Sequence, residues 1–325
     1  MKDIRLAVRH QLRGYLNPLI LRSCGRTFAI SEAIIVSGHF RSGTTWLAEL
    51  IAKSINAGII FEPFHIDHVS AAKLAGFTYH NFRQPADHWP DGRNFVESVL
   101  RGKHLNRWSV AHIPLNQTWR VKRLLIKLVA ANQMLVWLIR NFDVPTPVLL
   151  IRHPCAVLAS WLSRGWRLND WIVRDPALLE SFPELDEILN GLRHKEEYFA
   201  ARWCLDYYVP ISYQRNREFL TVSFEKLVVE GAPYLAEVLS TWGSNLPGRV
   251  VDEIRRPSER ASGSLKVNYE TVLSGWKSTL SSIQIDRVLR VVRDFGLDFY
   301  TADIEPDYER LFGDRPIRKQ GTSSP

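Results

Sequence analysis

The sequence predicts a three-layer α/β fold, a parallel sheet covered by helices on both faces. Three observations lead there. Short, nearly continuous apolar runs recur: AIIVS at 33–37, RLLIKLVAA at 123–131, TPVLLIRHP at 146–154 and EFLTVSFEKLV at 218–228. Stretches of helical periodicity separate them, and strands buried on both faces read as near-continuous apolar runs. The first run ends in a glycine-containing turn that opens a helix, the order an anion-binding loop requires.

Residues 1–30 form a basic amphipathic segment. Ile4, Val8, Leu12 and Leu16 recur every fourth position beside Arg5, Arg9 and Arg13, until Pro18. In the first 26 residues six Lys and Arg oppose the single acid Asp3. Two readings stand: a basic helix packed on the domain, or an interfacial helix giving peripheral membrane contact through residues 1–26. The apolar stretch LNPLIL is too short for the core of a secretory signal.

After AIIVS comes GHFRSGTTW at 38–46, and TTWLAELIAKS continues as helix. IIFEP at 59–63 ends another strand. NQMLVWLIRNF at 132–142 reads as helix, and so does ASWLSRG at 159–165, behind Pro154 at the helix start. FEKLV closes the last strand as a turn, and YLAEVLSTWG is a helix ending at Gly243. Residues 61–118 and 161–190 break this rhythm, the second with Trp161, Trp166 and Trp171. Long excursions from strand ends usually carry function, so these two are candidate substrate walls. Residues 313–325 are expected to be a disordered tail.

The chain has 325 residues, with 42 Lys and Arg against 34 Asp and Glu, a formal charge of +8. That excess favours anionic partners. Cys24, Cys155 and Cys204 share no short spacing, and an odd number argues against a disulfide framework. They suit a reducing, cytoplasmic setting, with peripheral membrane contact left open. The longest apolar candidate, Leu124 to Ile139, is interrupted by Lys127, Asn132 and Gln133, so no membrane span is expected.

Gly38 and Gly43 have the spacing of the phosphate loop G-x-x-x-x-G-K-[ST], but Thr44 stands where the lysine belongs. The fold is thus P-loop-like without the cation that nucleoside triphosphate chemistry needs. Backbone N–H groups, the helix N-terminus, the hydroxyls of Ser42, Thr44 and Thr45, and Arg41 make an anion site. A sulfuryl group carries less charge than a phosphoryl group. One arginine suffices to hold its bridging oxygen and neutralise the leaving phosphate.

GHFRSGTTWL resembles the 5′-phosphosulfate loop of sulfotransferases that use 3′-phosphoadenosine 5′-phosphosulfate (PAPS), a Lys or Arg followed by S-G-T-T and commonly Trp. The resemblance implies Arg41 as the essential cation. It implies Ser42, Gly43, Thr44 and Thr45 around the 5′-phosphate, and Trp46 near the adenine. VLLIRHPCAVLASWLSRG resembles the family's 3′-phosphate element and implies that role for Arg152 and Ser160. Softer matches are FLTVSFEKL, SGWKSTLS and the basic stretch RRPSERASGSLK, with Arg260 or Lys277 as contributors. The Arg-Lys-Gly of the cytosolic small-molecule branch is missing. The resemblance covers about residues 33 to 300 and implies a single sulfotransferase domain over 31–312, PAPS as co-substrate and no metal.

The small-molecule branch uses a histidine two residues after a lysine on the second strand. Here Lys127 matches the lysine and Val129 takes the histidine's place. Carbohydrate and tyrosyl-protein branches carry a glutamate about twenty residues beyond the loop, and Glu62 lies there. Glu62 is therefore the expected base, with His112 and His65 as alternatives. Glu62, His65 and His68 are spaced three apart but lack a fourth ligand, and Pro63 disfavours one helix through all three, so metal is not expected. The expected activity is sulfuryl transfer to an acceptor hydroxyl of a glycan, glycolipid or other extended acceptor. The alternative is a P-loop NTPase or small-molecule kinase. Nucleic acid is not an expected partner, because a basic binding module would not need two phosphate elements.

Overall fold

Five strands lie side by side in the order β2-β3-β1-β4-β5, all parallel. They are β1 (Ile34–Ser37), β2 (Ala57–Phe61), β3 (Arg123–Lys127), β4 (Val148–Ile151) and β5 (Leu220–Ser223). The structure, a computed structural model, describes residues 2–23, 27–170, 172, 174–214, 218–254, 256 and 269–313. Cys24, Trp171, Arg260 with most of RRPSERASGSLK, and the tail from 314 lie outside the described residues.

Side chains alternate across the sheet, as strand geometry requires. Ile35, Ile60, Ile126 and Leu149 point to one face, while Ile34, Val36, Ile59, Leu125, Leu150 and Val222 point to the other. On the second face lie α2 (Thr44–Ile55), through Leu47, Leu50 and Ile51, and the helix Ala232–Ser240, through Leu235 and Leu239. The first face is covered by the helices Pro154–Leu162, Lys195–Tyr213 and Ser282–Asp294. Each fully buried large apolar side chain contributes roughly 1.5–3 kcal/mol, so these two faces carry most of the stability. This is the three-layer arrangement expected from the apolar runs.

Register sets what meets at the sheet's carboxyl edge. Val36 is level with Lys127 and with Val148, Phe61 is level with Lys127, and Ile151 with Ser223. Gly38, Glu62, Arg152 and Phe224 therefore leave the sheet along one edge, where parallel α/β sheets bind ligands.

Two elements differ from expectation. FEKLV is the start of a helix, Phe224–Glu230, because the Ser223 hydroxyl accepts from the Lys226 N–H and caps it. The helix Lys195–Tyr213 has no clear apolar stripe because it is buried on nearly every side, with Phe199, Trp203 and Tyr207 toward the core. At the chain start, α1 (Lys2–Ser23) continues through Pro18. No described helix is long and apolar enough to cross a membrane. Cys155 and Cys204 are buried and free, and burial pushes the Cys155 thiol up to about 12.

Candidate active site

The loop from Gly38 to Gly43 is built by close approach. Gly43 has φ +94°, and a Cβ there would lie 2.7 Å from the Phe224 ring. At Gly38 a Cβ would lie 2.4 Å from the Leu150 carbonyl oxygen. Packing therefore requires glycine at both positions, and at Gly43 the left-handed backbone requires it as well. Ser42 is fully buried, and its hydroxyl lies 3.1 Å from the Tyr207 hydroxyl, so it turns inward and away from the loop mouth. Tyr207 in turn accepts from the His39 N–H and donates to Leu150 O, pinning the loop to β4. Thr44 and Thr45 open α2, with Thr44 buried. Trp46 packs edge-on to Phe224, and its buried Nε1 has no hydrogen-bond partner among the described residues.

Arg41 and Arg152 come together here from opposite sides. Arg41 donates from Nε and Nη2 to Ser160 Oγ at 3.2 and 3.1 Å. Ser160, expected beside Arg152, is thus held by Arg41. Arg152 donates from Nη1 to Arg41 O at 3.1 Å and from Nη2 to Val272 O at 3.3 Å, with its guanidinium over Phe224. Its buried Nε has no hydrogen-bond partner among the described residues. Among the described residues neither guanidinium makes an ion pair with a carboxylate. Burial, and then the charges of Arg164 and Arg152, push the Arg41 guanidinium down to about 10. Burial lowers Arg152 as well. Two half-buried cations meet here, and the one carboxylate whose charge acts on Arg152, Glu225, already accepts three hydrogen bonds, so an anion would stabilise the site.

Around Arg152 the neighbouring groups are fully occupied. Trp203 Nε1 donates to Arg152 O. The Glu225 carboxylate accepts from the His153 N–H, the Ser223 hydroxyl and the Tyr300 hydroxyl. The His153 ring stacks on Trp276 at 4.5 Å, which brings Lys277, whose Nζ lies over Trp276, to the same end of the sheet.

Two strand spacings from β1, about 10 Å across the sheet, Glu62 follows β2. Its carboxylate accepts from Lys127 Nζ at 2.5 Å, and its N–H donates to Lys127 O. The pair is nearly buried, at 4 and 13 % side-chain exposure. Glu62 has φ +42° and Arg41 φ +66°, two of the four described non-glycine residues with positive φ. Such backbone strain persists only where surrounding structure enforces it, and it clusters at functional sites. Of the alternatives, His112 is buried and stacked on Phe61 at 4.1 Å, and His65 lies against His68 and Trp108. Among the described residues no group of three or more His, Cys, Asp or Glu side chains is placed to hold a metal ion.

Several residues at this edge carried no sequence signal. His39 Nδ1 lies 2.6 Å from Asp206, and its buried Nε2 has no hydrogen-bond partner among the described residues. Burial lowers the His39 pKa, against the pull of Asp206. Asp206, Tyr207 and Trp203 come from a helix 160 or more positions beyond the loop, so no local motif links them. From the second excursion, Trp161 meets Phe40 at 4.8 Å, and Trp166 lies 5.9 Å from the Arg41 guanidinium carbon. These rings wall one side of Arg41.

No protein-family model and no curated protein matches the sequence. Among solved structures, the chain is similar to the sulfotransferase domain from the Curacin biosynthetic pathway. The identity is 12 %, over 80 % of this chain and 96 % of that one, with TM-score 0.44. For the sulfotransferase domain of the Synechococcus PCC 7002 olefin synthase the identity is 16 %, over 83 and 95 %, with TM-score 0.44. For mouse sulfotransferase SULT7A1 complexed with PAP it is 15 %, over 84 and 88 %, with TM-score 0.40. Similarities this weak leave the function to be read from the site.

Proposed function

We propose that this chain is a PAPS-dependent sulfotransferase acting on an acceptor hydroxyl. One observation carries the reading: Arg41 and Arg152, from the two motifs that resemble the family's phosphate elements, meet as half-buried cations that make no ion pair with a carboxylate among the described residues. The residues fit the co-substrate. Arg41 and the loop N–H groups would hold the 5′-phosphosulfate, and Arg152, with Lys277 nearby, the 3′-phosphate. Trp46 and Phe224 offer ring faces close by. Ser42 shapes the loop without facing the anion, since its hydroxyl meets Tyr207 and its N–H donates to His39 O.

The chemistry PAPS supplies when bound is a sulfuryl group on a phosphate leaving group. Arg41 neutralises charge on the leaving phosphate, and being half-buried and held by Ser160 it needs little reorganisation to do so. Ser160 Oγ, held by Arg41, keeps the guanidinium aimed at the loop. Glu62 takes the proton of the acceptor hydroxyl. Lys127 Nζ, bonded to the carboxylate, holds Glu62 in place at the end of β2. A carboxylate in this role, with Val129 where the small-molecule branch has histidine, points to a glycan, glycolipid or other extended acceptor. The kinase alternative finds no lysine after Gly43 to support it.

The test is a thermal-shift comparison of adenosine 3′,5′-bisphosphate with AMP, followed by transfer of labelled sulfate from PAPS. At a hundredfold excess over Kd the bisphosphate stabilises by about 2.7 kcal/mol, and AMP by much less. Arg152→Ala removes the difference between the two. Equal shifts with AMP, or turnover of ATP with none of PAPS, would refute the reading.

A further inference from the structure

The helix α1 has two faces with different uses. Toward the domain it presents Gly14, Asn17 and Leu21, all buried. Asn17 Nδ2 donates to Val110 O and Ile113 O, both at 2.8 Å, and its Oδ1 accepts from the Thr118 hydroxyl at 2.6 Å. A Cβ on Gly14 would lie 2.8 Å from Arg107 O. These contacts fix the rotation of the helix about its own axis.

At about 100° per residue, the opposite side then carries Val8, Leu12, Tyr15, Leu16 and Leu19 as one stripe about 16 Å long. All five are between 38 and 62 % exposed. Scattered exposed apolar residues need no explanation, but five in one stripe do. Along one flank the helix positions of Arg5, Arg9 and Arg13 follow on successive turns. Beyond Thr118 stands Trp119, half-exposed, with Arg120 over its ring at 4.2 Å. Arg107 lies over the Tyr15 ring at 3.8 Å. An apolar stripe with Arg107 over its Tyr15 ring, and with arginine positions on successive turns along one flank, suits the boundary between acyl chains and anionic headgroups. A second copy of the chain fits poorly, because each copy brings a formal charge of +8.

We propose that α1 docks the protein on an anionic lipid bilayer, lying in the interface plane with Val8, Leu12, Leu16 and Leu19 toward the acyl chains. Docking would also orient the catalytic edge. His10 of α1 meets His112 at 4.9 Å, and His112 stacks on Phe61, the residue before Glu62. The end of β2 is thus two ring contacts from the docked helix. A membrane-borne hydroxyl, such as a glycolipid headgroup, would have a short route to Glu62; that consequence rests on the sulfuryl-transfer reading, whereas the docking itself does not.

The experiment is co-sedimentation of the full chain with phosphatidylcholine vesicles, with and without phosphatidylglycerol, at low and high salt. The variants are Leu12→Ser/Leu16→Ser and, as a control on an exposed apolar residue elsewhere, Ile283→Ser. The wild type should bind phosphatidylglycerol vesicles in preference, and less at high salt. The double variant should lose binding by about tenfold or more while keeping its melting temperature and its shift with adenosine 3′,5′-bisphosphate. Ile283→Ser should bind as wild type. No binding to anionic vesicles, binding unchanged in the double variant, or a dimer that the double variant abolishes without any vesicle binding would each overturn the proposal. Vesicle binding without a nucleotide shift would sink the sulfotransferase reading alone.

Discussion

His153 caps the helix Pro154–Leu162 with a ring that has no place for a second proton. Its Nδ1 accepts from the Cys155 N–H at 3.1 Å, and its Nε2 lies 2.9 Å from Thr301 O. Only the neutral tautomer with the proton on Nε2 satisfies both. Burial pushes its pKa from 6.5 down to about 4, against the pull of Thr301 O and with the help of Arg152 and Lys277. The folded state therefore binds fewer protons than the unfolded state in this window. The resulting stability is full above pH 6.5 and is lost as pH falls toward about 4. That gap corresponds to about 3 kcal/mol. His153→Asn removes the titration but keeps a side-chain oxygen to cap Cys155. Urea unfolding of both proteins across the window should show the wild type losing up to about 3 kcal/mol more than the variant. His39 and His80, also lowered by burial, are present in both proteins and cancel. Parallel loss of stability in the two would refute the reasoning.

Glu62→Gln should lower turnover about a hundredfold or more while leaving the bisphosphate shift intact; near-normal turnover, with loss instead in His112→Ala, would move the base elsewhere. Lys127→Met strands the nearly buried Glu62 carboxylate and should destabilise by about 3–5 kcal/mol, with much of that recovered by adding Glu62→Gln. Urea titration of both variants decides this, and equal losses would count against the pair. Gly43→Ala brings a Cβ to 2.7 Å from Phe224 at φ +94°. It should cost about 1–3 kcal/mol and remove the bisphosphate shift, and a retained shift would show that the loop tolerates the change.

Much of the framework was legible because its signals are local. The run AIIVS, the glycine spacing of GHFRSGTTW and the helical period of TTWLAELIAKS lie within about twenty residues and act through backbone conformation and burial alone. The same holds for Pro154 at a helix start. Other features depended on contacts between distant segments. No local pattern orders the strands as β2-β3-β1-β4-β5, and that order sets Lys127 beside Glu62, 65 residues away. The His39–Asp206 contact spans 167 residues, and the helix that carries Asp206 has no sequence signature because a helix buried on most sides has no polar face to mark its period. Ser160 shares its motif with Arg152, but it bonds Arg41 from another loop, since the carboxyl edge folds both loops together. For α1 the sequence offered packing or an interface as alternatives. Tertiary contacts gave the Asn17 face to packing and left the Val8 to Leu19 stripe outside, because only a partner surface can decide which side of a helix is inward.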